Sequence, residues 1–336
     1  MNRMMAWLRR TAIIIAIAAI VIIPGSIFLW QDRPPIDALK LPTSEVTQTG
    51  AGGVKVTWLG VTTLLFDDDE TQILIDGFFS RPSIFDVILR RPVISDAATI
   101  DYVLDEFRVR RLAAVIPLHS HYDHAMDIGA IANRSSASVV GTESTVNIAR
   151  GAGVPDEQII LVTNGDTLEF GKFSVTFITS RHVPNSVGDD HLISGFMSEP
   201  LKQPADITEW REGGSWSLLI SHPLGTTLVH GSAGFIDGAL AETRADIVMM
   251  SIAGLTSQGR KYTSDYWHQV VESTGATRVY IIHHDDFTQP FGKIGLYPTS
   301  IDNVVASAQW LTALARASDY GIEILRPTFG EPAVFY

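Results

Sequence analysis

The chain has 336 residues, 46% of them hydrophobic, with a formal net charge of −12 and a pI near 5.2. That length buries one large α/β core without requiring a second domain. The acidic balance argues against a nucleic-acid partner, which would want a basic face, and the lack of cysteine excludes disulfides, thiol ligands and thiol redox chemistry.

Reading from the N-terminus, Arg3, Arg9 and Arg10 precede twenty uncharged residues from Thr11 to Trp30. A run of that length spans a bilayer, so residues 1–30 are expected to form an N-terminal transmembrane helix and membrane anchor. The arginines place its start in the cytoplasm and the following domain outside, on the periplasmic or extracellular face. A cleaved secretory signal is the alternative, but cutting after Ala16-Ile17-Ala18 would leave an exposed apolar tail. Residues 31–53, with Pro34-Pro35 and Gly52-Gly53, read as a polar tether that need not pack.

From residue 54 to 336 the pattern is one α/β domain. Strands are predicted at Val54 to Leu59, Thr63 to Phe66, Gln72 to Ile75, Ala114 to Leu118, Ala137 to Val140, Gln158 to Val162 and Ser174 to Ile178. A second set follows at Trp216 to Ile220, Thr226 to His230, Ile247 to Ser251, Val279 to Ile282 and Ile322 to Leu325. Helices are expected from Met126, over Ser264 to Ser273 and over Ile301 to Ala317. The stretch Phe78 to Arg91 mixes apolar bulk with arginines, and reads either as core aromatics with surface arginines or as an acyl-lined, lipid-touching segment.

The run His119-Ser120-His121-Tyr122-Asp123-His124 sits between a buried strand and a helix start, and carries three of the ten histidines. Neutral imidazole and carboxylate are the ligands of catalytic zinc sites. In an extended segment His119 and His121 point the same way, whereas Asp123 and His124, on the helix entry, address a neighbouring position. Two adjacent metals are expected. Asp76, at a strand end, reads either as the hydrogen-bond partner of a ligand imidazole or as a turn residue. No Gly-x-Ser-x-Gly elbow is present to supply a serine nucleophile.

His-x-His-x-Asp-His after an apolar strand resembles the signature of the metallo-β-lactamase superfamily. The opening Val56-Thr57-Trp58-Leu59-Gly60 and Ile73-Leu74-Ile75-Asp76-Gly77-Phe78-Phe79-Ser80 are similar to the branch containing N-acylphosphatidylethanolamine phospholipase D and ascorbate 6-phosphate lactonase. The resemblance runs from about residue 53 to 290 and implies an αββα sandwich, the metallo-β-lactamase fold. It further implies that His119, His121 and His182 hold one zinc and that Asp123, His124 and His283 hold the second. Asp123 would also orient the attacking water. Ser232 stands where the family places a bridging Asp, which weakens the second site; His230 is then either a substitute ligand or a ligand's neighbour or structural residue, and His284 either sits near the substrate or is solvated or a neighbour of a ligand. One subclass of the family keeps two zincs with a similar six ligands and no bridge.

The function implied is hydrolysis of a phosphodiester, ester or lactone, with a small-molecule or lipid substrate. Zinc held by imidazoles acidifies its water to a pKa of about 7. Iron or manganese in place of zinc, an iron-dependent oxidative enzyme of the same superfamily, and a catalytically weakened binding protein are the alternatives.

Overall fold

The computed structural model describes residues 7, 11, 25, 30–43, 53–184 and 193–336. Residues 11–30, read as a membrane span or a cleaved signal, lie outside the described residues except for 11, 25 and 30, as do tether residues 44–52 and His191. Among the described residues no helix is long and apolar enough to cross a membrane.

Two seven-stranded sheets form the frame. The first runs β14 (Pro332–Val334), β1 (Lys55–Trp58), β2 (Leu64–Asp67), β3 (Gln72–Ile75), β4 (Leu112–Ile116), β5 (Ser138–Gly141) and β6 (Ile159–Leu161). The second runs β13 (Glu323–Leu325), β12 (Arg278–Ile282), β11 (Ile247–Ser251), β10 (Gly225–His230), β9 (Ser215–His222), β8 (Phe173–Ser180) and β7 (Thr167–Phe170). Pairing is parallel from β3 to β6 and from β10 to β13, and antiparallel elsewhere.

The alternation of side chains explains the layers. In β3, Ile73 and Ile75 face the other sheet while Leu74 faces outward; in β11, Ile247 and Met249 face inward while Val248 and Met250 face outward. Both faces are apolar because both are covered, which is why these strands read as unbroken hydrophobic runs. Outside the first sheet pack α2 (Ala97–Glu106), α4 (Ile128–Ser135) and α5 (Glu143–Gly151); outside the second pack α6 (Leu255–Trp267) and α7 (Val304–Ala317). Two shorter helices, α1 (Ile84–Ile88) and α3 (Tyr122–Ala125), complete the set. The architecture is an αββα sandwich, as the resemblance implies.

The predicted strands all form, with ends shifted by a few residues. Sequence reading omitted β7, β14, α1, α2 and α5. β14 is three residues opened by a proline, and among the described residues its one ladder is to β1, at the other end of the chain. The helix expected over Ser264 to Ser273 begins earlier, just after a break at Gly259 (φ 84°, ψ 173°) that separates it from a first turn starting at Leu255, and closes in a π-helical turn, His268–Glu272.

One expectation needs correcting. The first part of the tether packs: Ile36–Leu39 forms a 3-10 turn, Leu39 and Leu41 are buried with Val304 and Leu311 of α7 in one cluster, and Arg33 pairs with Asp286. Leucines spaced by two residues and a cation that finds a buried carboxylate outweigh the two prolines that made the stretch read as free. Leu39→Ala is expected to destabilise the domain by ~2–4 kcal/mol, the range for truncating a buried leucine. Denaturant unfolding of the full chain measures this; a shift below about 0.5 kcal/mol would mean that the segment is not part of the core.

Candidate metal centre

Strands β3 and β4 are parallel, and β8, β10 and β12 run in one direction within the second sheet, so their carboxyl ends collect along one edge. Each ligand candidate follows one of those ends. Pro117 stops β4, His119 follows in a bend, and His121 forms the N-cap of α3 in extended backbone with φ −63° and ψ 156°. Asp123 and His124 lie on the first turn of α3. His182 follows β8, and His283 follows β12.

The structure brings these six side chains together as two trios. The ligand atoms of His119, His121 and His182 lie within 4.8 Å of one another, and so do those of Asp123, His124 and His283. The trios adjoin, with the His119 and His124 ring centroids 3.8 Å apart. His119 Nε2 lies 3.0 Å from His121 Nδ1. Asp123 Oδ2 is 3.5 Å from both His124 Nε2 and His283 Nε2.

Hydrogen bonds fix which ring atom each trio receives. His182 Nδ1 donates to Val183 O at 2.9 Å, and His121 Nε2 donates to Ile193 O at 3.2 Å. His124 Nδ1 donates to Asp76 Oδ2 at 2.8 Å, leaving its Nε2 toward Asp123. Asp76 is thus a partner of a candidate ligand rather than a plain turn residue, and its other oxygen accepts Leu118 N–H at 2.7 Å. Burial, with the neighbouring His124, pushes the His119 imidazole well below its usual pKa, and burial beside His182 takes His121 down to about 3. Burial lowers His182 as well. Burial alone would raise the Asp123 carboxyl, but His124 and His283 hold it well below the ordinary range. The neutral imidazoles of His119, His121 and His182, beside the ionised Asp123 carboxylate, suit a divalent metal, and the buried Nδ1 atoms of His119 and His283 have no hydrogen-bond partner among the described residues.

A strained turn braces the second trio. Gly60 has φ +93°, and a Cβ there would lie 1.8 Å from Arg81 Nη2; Val61, a β-branched residue, follows at φ 51°. Val61 O accepts His283 N–H at 2.8 Å and Trp58 Nε1–H at 3.0 Å. Val61 N–H donates to Asp285 Oδ1 at 2.8 Å, while Asp285 Oδ2 pairs with Arg81 at 3.0 Å, both side chains fully buried. Thr62 Oγ1 contacts His124 Nδ1 at 2.9 Å and also bonds Asp76. Asp76 and His283 themselves have positive φ, 59° and 56°. Sequence reading missed Val61, Thr62 and the Arg81–Asp285 pair, because no local pattern marks contacts between residues so far apart; Arg81 had been placed on the surface.

The remaining candidates fall away from the trios. His230 is fully engaged, Nδ1 with Ser217 Oγ at 2.8 Å and Nε2 with Gly234 O at 2.6 Å, and burial lowers it to about 4. This is a structural histidine with no nitrogen to offer as a substitute ligand. Ser232 lines the cavity over the trios, and its Oγ accepts Val183 N–H at 2.9 Å, steadying the loop of His182. His284 is buried behind the site, stacked on Trp58 with ring centroids 4.8 Å apart.

The cavity above the trios holds about 300 Å³, with Asp123, His182 and His283 on one side and Val87, Ile207, Trp210 and Phe287 on the other.

No family model matches the chain. Its relatives include a UPF0173 metal-dependent hydrolase of Rhizobium etli, 26% identical over 137 residues, which are 41% of this chain and 51% of the relative. The probable L-ascorbate-6-phosphate lactonase UlaG of Salmonella paratyphi B is 33% identical over 75 residues, 21% of each chain. The chain thus spans about half the length, or less, of the curated relatives it matches. Among solved structures, a possible metal-dependent hydrolase from Veillonella parvula superposes with a TM-score of 0.50 at 14% identity, covering 85% of this chain and 100% of its own, and shows the shared fold. The metallo-β-lactamase fold protein YhfI of Bacillus subtilis covers 83% of this chain and 98% of its own, at a TM-score of 0.47 and 15% identity. The relatives are of the kind that the histidine motif resembles.

Removing the charge of Asp76 should loosen the His124 trio selectively. For Asp76→Asn, competition titration with a chromophoric chelator is expected to show one metal bound about 10-fold or more weaker, with the other unchanged. Equal weakening of both would show that Asp76 serves the fold and not the second trio.

Proposed function

We propose that the chain is a zinc-dependent hydrolase of a phosphodiester, ester or lactone, held to the outer face of a membrane by residues 11–30. The observation that carries the reading is the pair of adjoining three-ligand sets, four of whose six side chains (His121, Asp123, His182 and His283) line one cavity. His119, His121 and His182 would hold one zinc, and Asp123, His124 and His283 the other. Zinc in such sites supplies an acidified water and a Lewis acid for the carbonyl or phosphoryl oxygen under attack.

The chain's own residues do the rest. Asp123 remains ionised and faces the cavity, so its carboxylate accepts a proton-bearing neighbour and orients it. Asp76 and the carbonyls of Val183 and Ile193 fix three imidazoles against rotation. The apolar wall of Val87, Ile207, Trp210 and Phe287 excludes water and favours a substrate with an apolar group beside its scissile bond. Ser232 leaves Asp123 as the only carboxylate among the proposed ligands, which supports a second ion held less firmly than the first.

Elemental analysis of the purified full chain, with a panel of phosphodiesters, lactones and acyl esters, tests this. Two zincs per chain and turnover of one class are expected; iron with oxygen consumption would replace the hydrolytic reading by an oxidative one, and absence of metal would defeat both. His121→Ala is expected to lose the first metal and to lower turnover by at least ~100-fold, and wild-type turnover in that variant would refute the assignment. Ser232→Asp is expected to tighten the second metal, read as a titration midpoint at lower free zinc; an unmoved midpoint would place Ser232 away from the bridging position.

A further inference from the structure

The short helix α1 carries an apolar face that the hydrolytic reading leaves unused. Ser83 and Asp86 lock its start with a reciprocal capping box, so the orientation of its side chains is set. Val87 turns inward to the cavity wall. Phe85, Ile88 and Leu89 turn outward and are 67%, 67% and 57% exposed. Single exposed apolar residues are ordinary, but three bulky ones within five positions form a patch that marks a contact surface. Arg90 and Arg91 follow directly, with side chains 53% and 60% exposed; Arg90 reaches Asp206 at 3.1 Å and Arg91 reaches Asp86 at 3.7 Å.

We infer that this face docks on the surface of the bilayer in which the chain is anchored, with Phe85, Ile88 and Leu89 entering the acyl boundary and Arg90 and Arg91 at the level of the phosphates. The chain itself points to that occupant. Trp30, the last residue of the apolar run, lies under the Arg33 guanidinium at 4.5 Å, and Arg33 is fastened to Asp286 and, at 3.1 Å, to Leu296 O. The loop from Asp285 to Leu296 is therefore held where the chain would leave the membrane. The same loop borders the cavity that α1 helps to wall: Phe287 and Val87 both line it, and Phe291 packs edge-on against Phe79 at 5.6 Å. One loop thus runs from Arg33 to the cavity that Val87 of α1 also lines. Aromatic and aliphatic side chains bordered by arginine match an interfacial surface, because the guanidinium heads stay at the phosphates while the apolar groups leave water.

The inference rests on the anchor and not on the chemistry of the histidines, so its test needs no metal and no substrate. The chain has no cysteine, and Ile88→Cys therefore creates a unique labelling site. Tyr320→Cys is the control: Tyr320 is 75% exposed and precedes β13, at the amino ends of the parallel strands, opposite the metal edge. Each full-length variant is labelled with an environment-sensitive fluorophore and reconstituted into phosphatidylcholine–phosphatidylglycerol vesicles with and without brominated lipid. We expect quenching by the brominated acyl chains at position 88 at least about twofold greater than at position 320, and Leu89→Cys should behave like position 88. Equal quenching at 88 and 320 would overturn the docking. So would a label at 88 shielded from both lipid bromine and aqueous iodide, since that pattern means a protein surface covers α1.

Discussion

Everything at the metal edge depends on how closely the two sheets approach one another at Leu118. This residue lies between the end of β4 and His119, and its side chain fills the space where Gly231, just past β10, would otherwise carry a Cβ, which would lie 2.3 Å from Leu118 Cδ1. Its carbonyl accepts Trp216 N–H at 2.8 Å, and its own N–H is taken by Asp76. One residue is thus bonded to β9 of the second sheet and to the strand end of the first. That closeness sets His119 and His121, on one sheet, against His182, on the other. A side chain at 231 would force the sheets apart at the point where ring nitrogens must meet within a few ångströms. Gly234 is under the same constraint, since a Cβ there would lie 2.2 Å from Arg181 O beside His182.

Around that contact the site is stiffened by buried charge rather than by apolar packing alone. Asp76, Asp285 and Asp286 are all buried, and each is satisfied by several donors. Buried ion pairs add little net stability, because desolvation offsets much of their attraction, yet breaking one leaves an uncompensated charge. The geometry is then held by penalty: the Gly60–Thr62 turn keeps its positive φ because Asp285, His283 and Trp58 all bond to Val61. Position is what a weakly charged metal site requires most. Ser232, in the cavity lining, brings no charge, and Asp123 is the one carboxylate of the two trios, so their arrangement relies on preset side-chain geometry.

Much of the frame was legible in the sequence because its signals are local. Both β3 and β11 read as buried strands from unbroken apolar runs, and the turn after β4 declared its chemistry by packing three histidines and an aspartate into six residues. His182 and His283 carried no such signal. Each is a histidine at a strand end, indistinguishable by itself from His230, and only their order along the chain in the family resemblance separated them. Arg81 and Asp285, 204 residues apart, were beyond any periodicity argument. β14 was hidden for a similar reason, since its strand character comes from a partner at the opposite end of the domain.

Adjacent residues Asp285 and Asp286 show how the domain and its N-terminal segment share one support. They point to different cations: Asp285 to Arg81, from the turn after β3, and Asp286 to Arg33, from the segment that leads to the apolar run. Between them they clamp the loop that begins at His283 from two sides. Asp286 also takes Thr288 N–H at 2.9 Å and Thr288 Oγ1 at 2.7 Å, so the clamp extends into the stretch bearing Phe287 on the cavity wall. A single carboxylate thus bonds both Arg33 and the residue next to Phe287 of the cavity wall. The stretch that composition marks as a tether is, by its bonds, part of the scaffold that shapes the site.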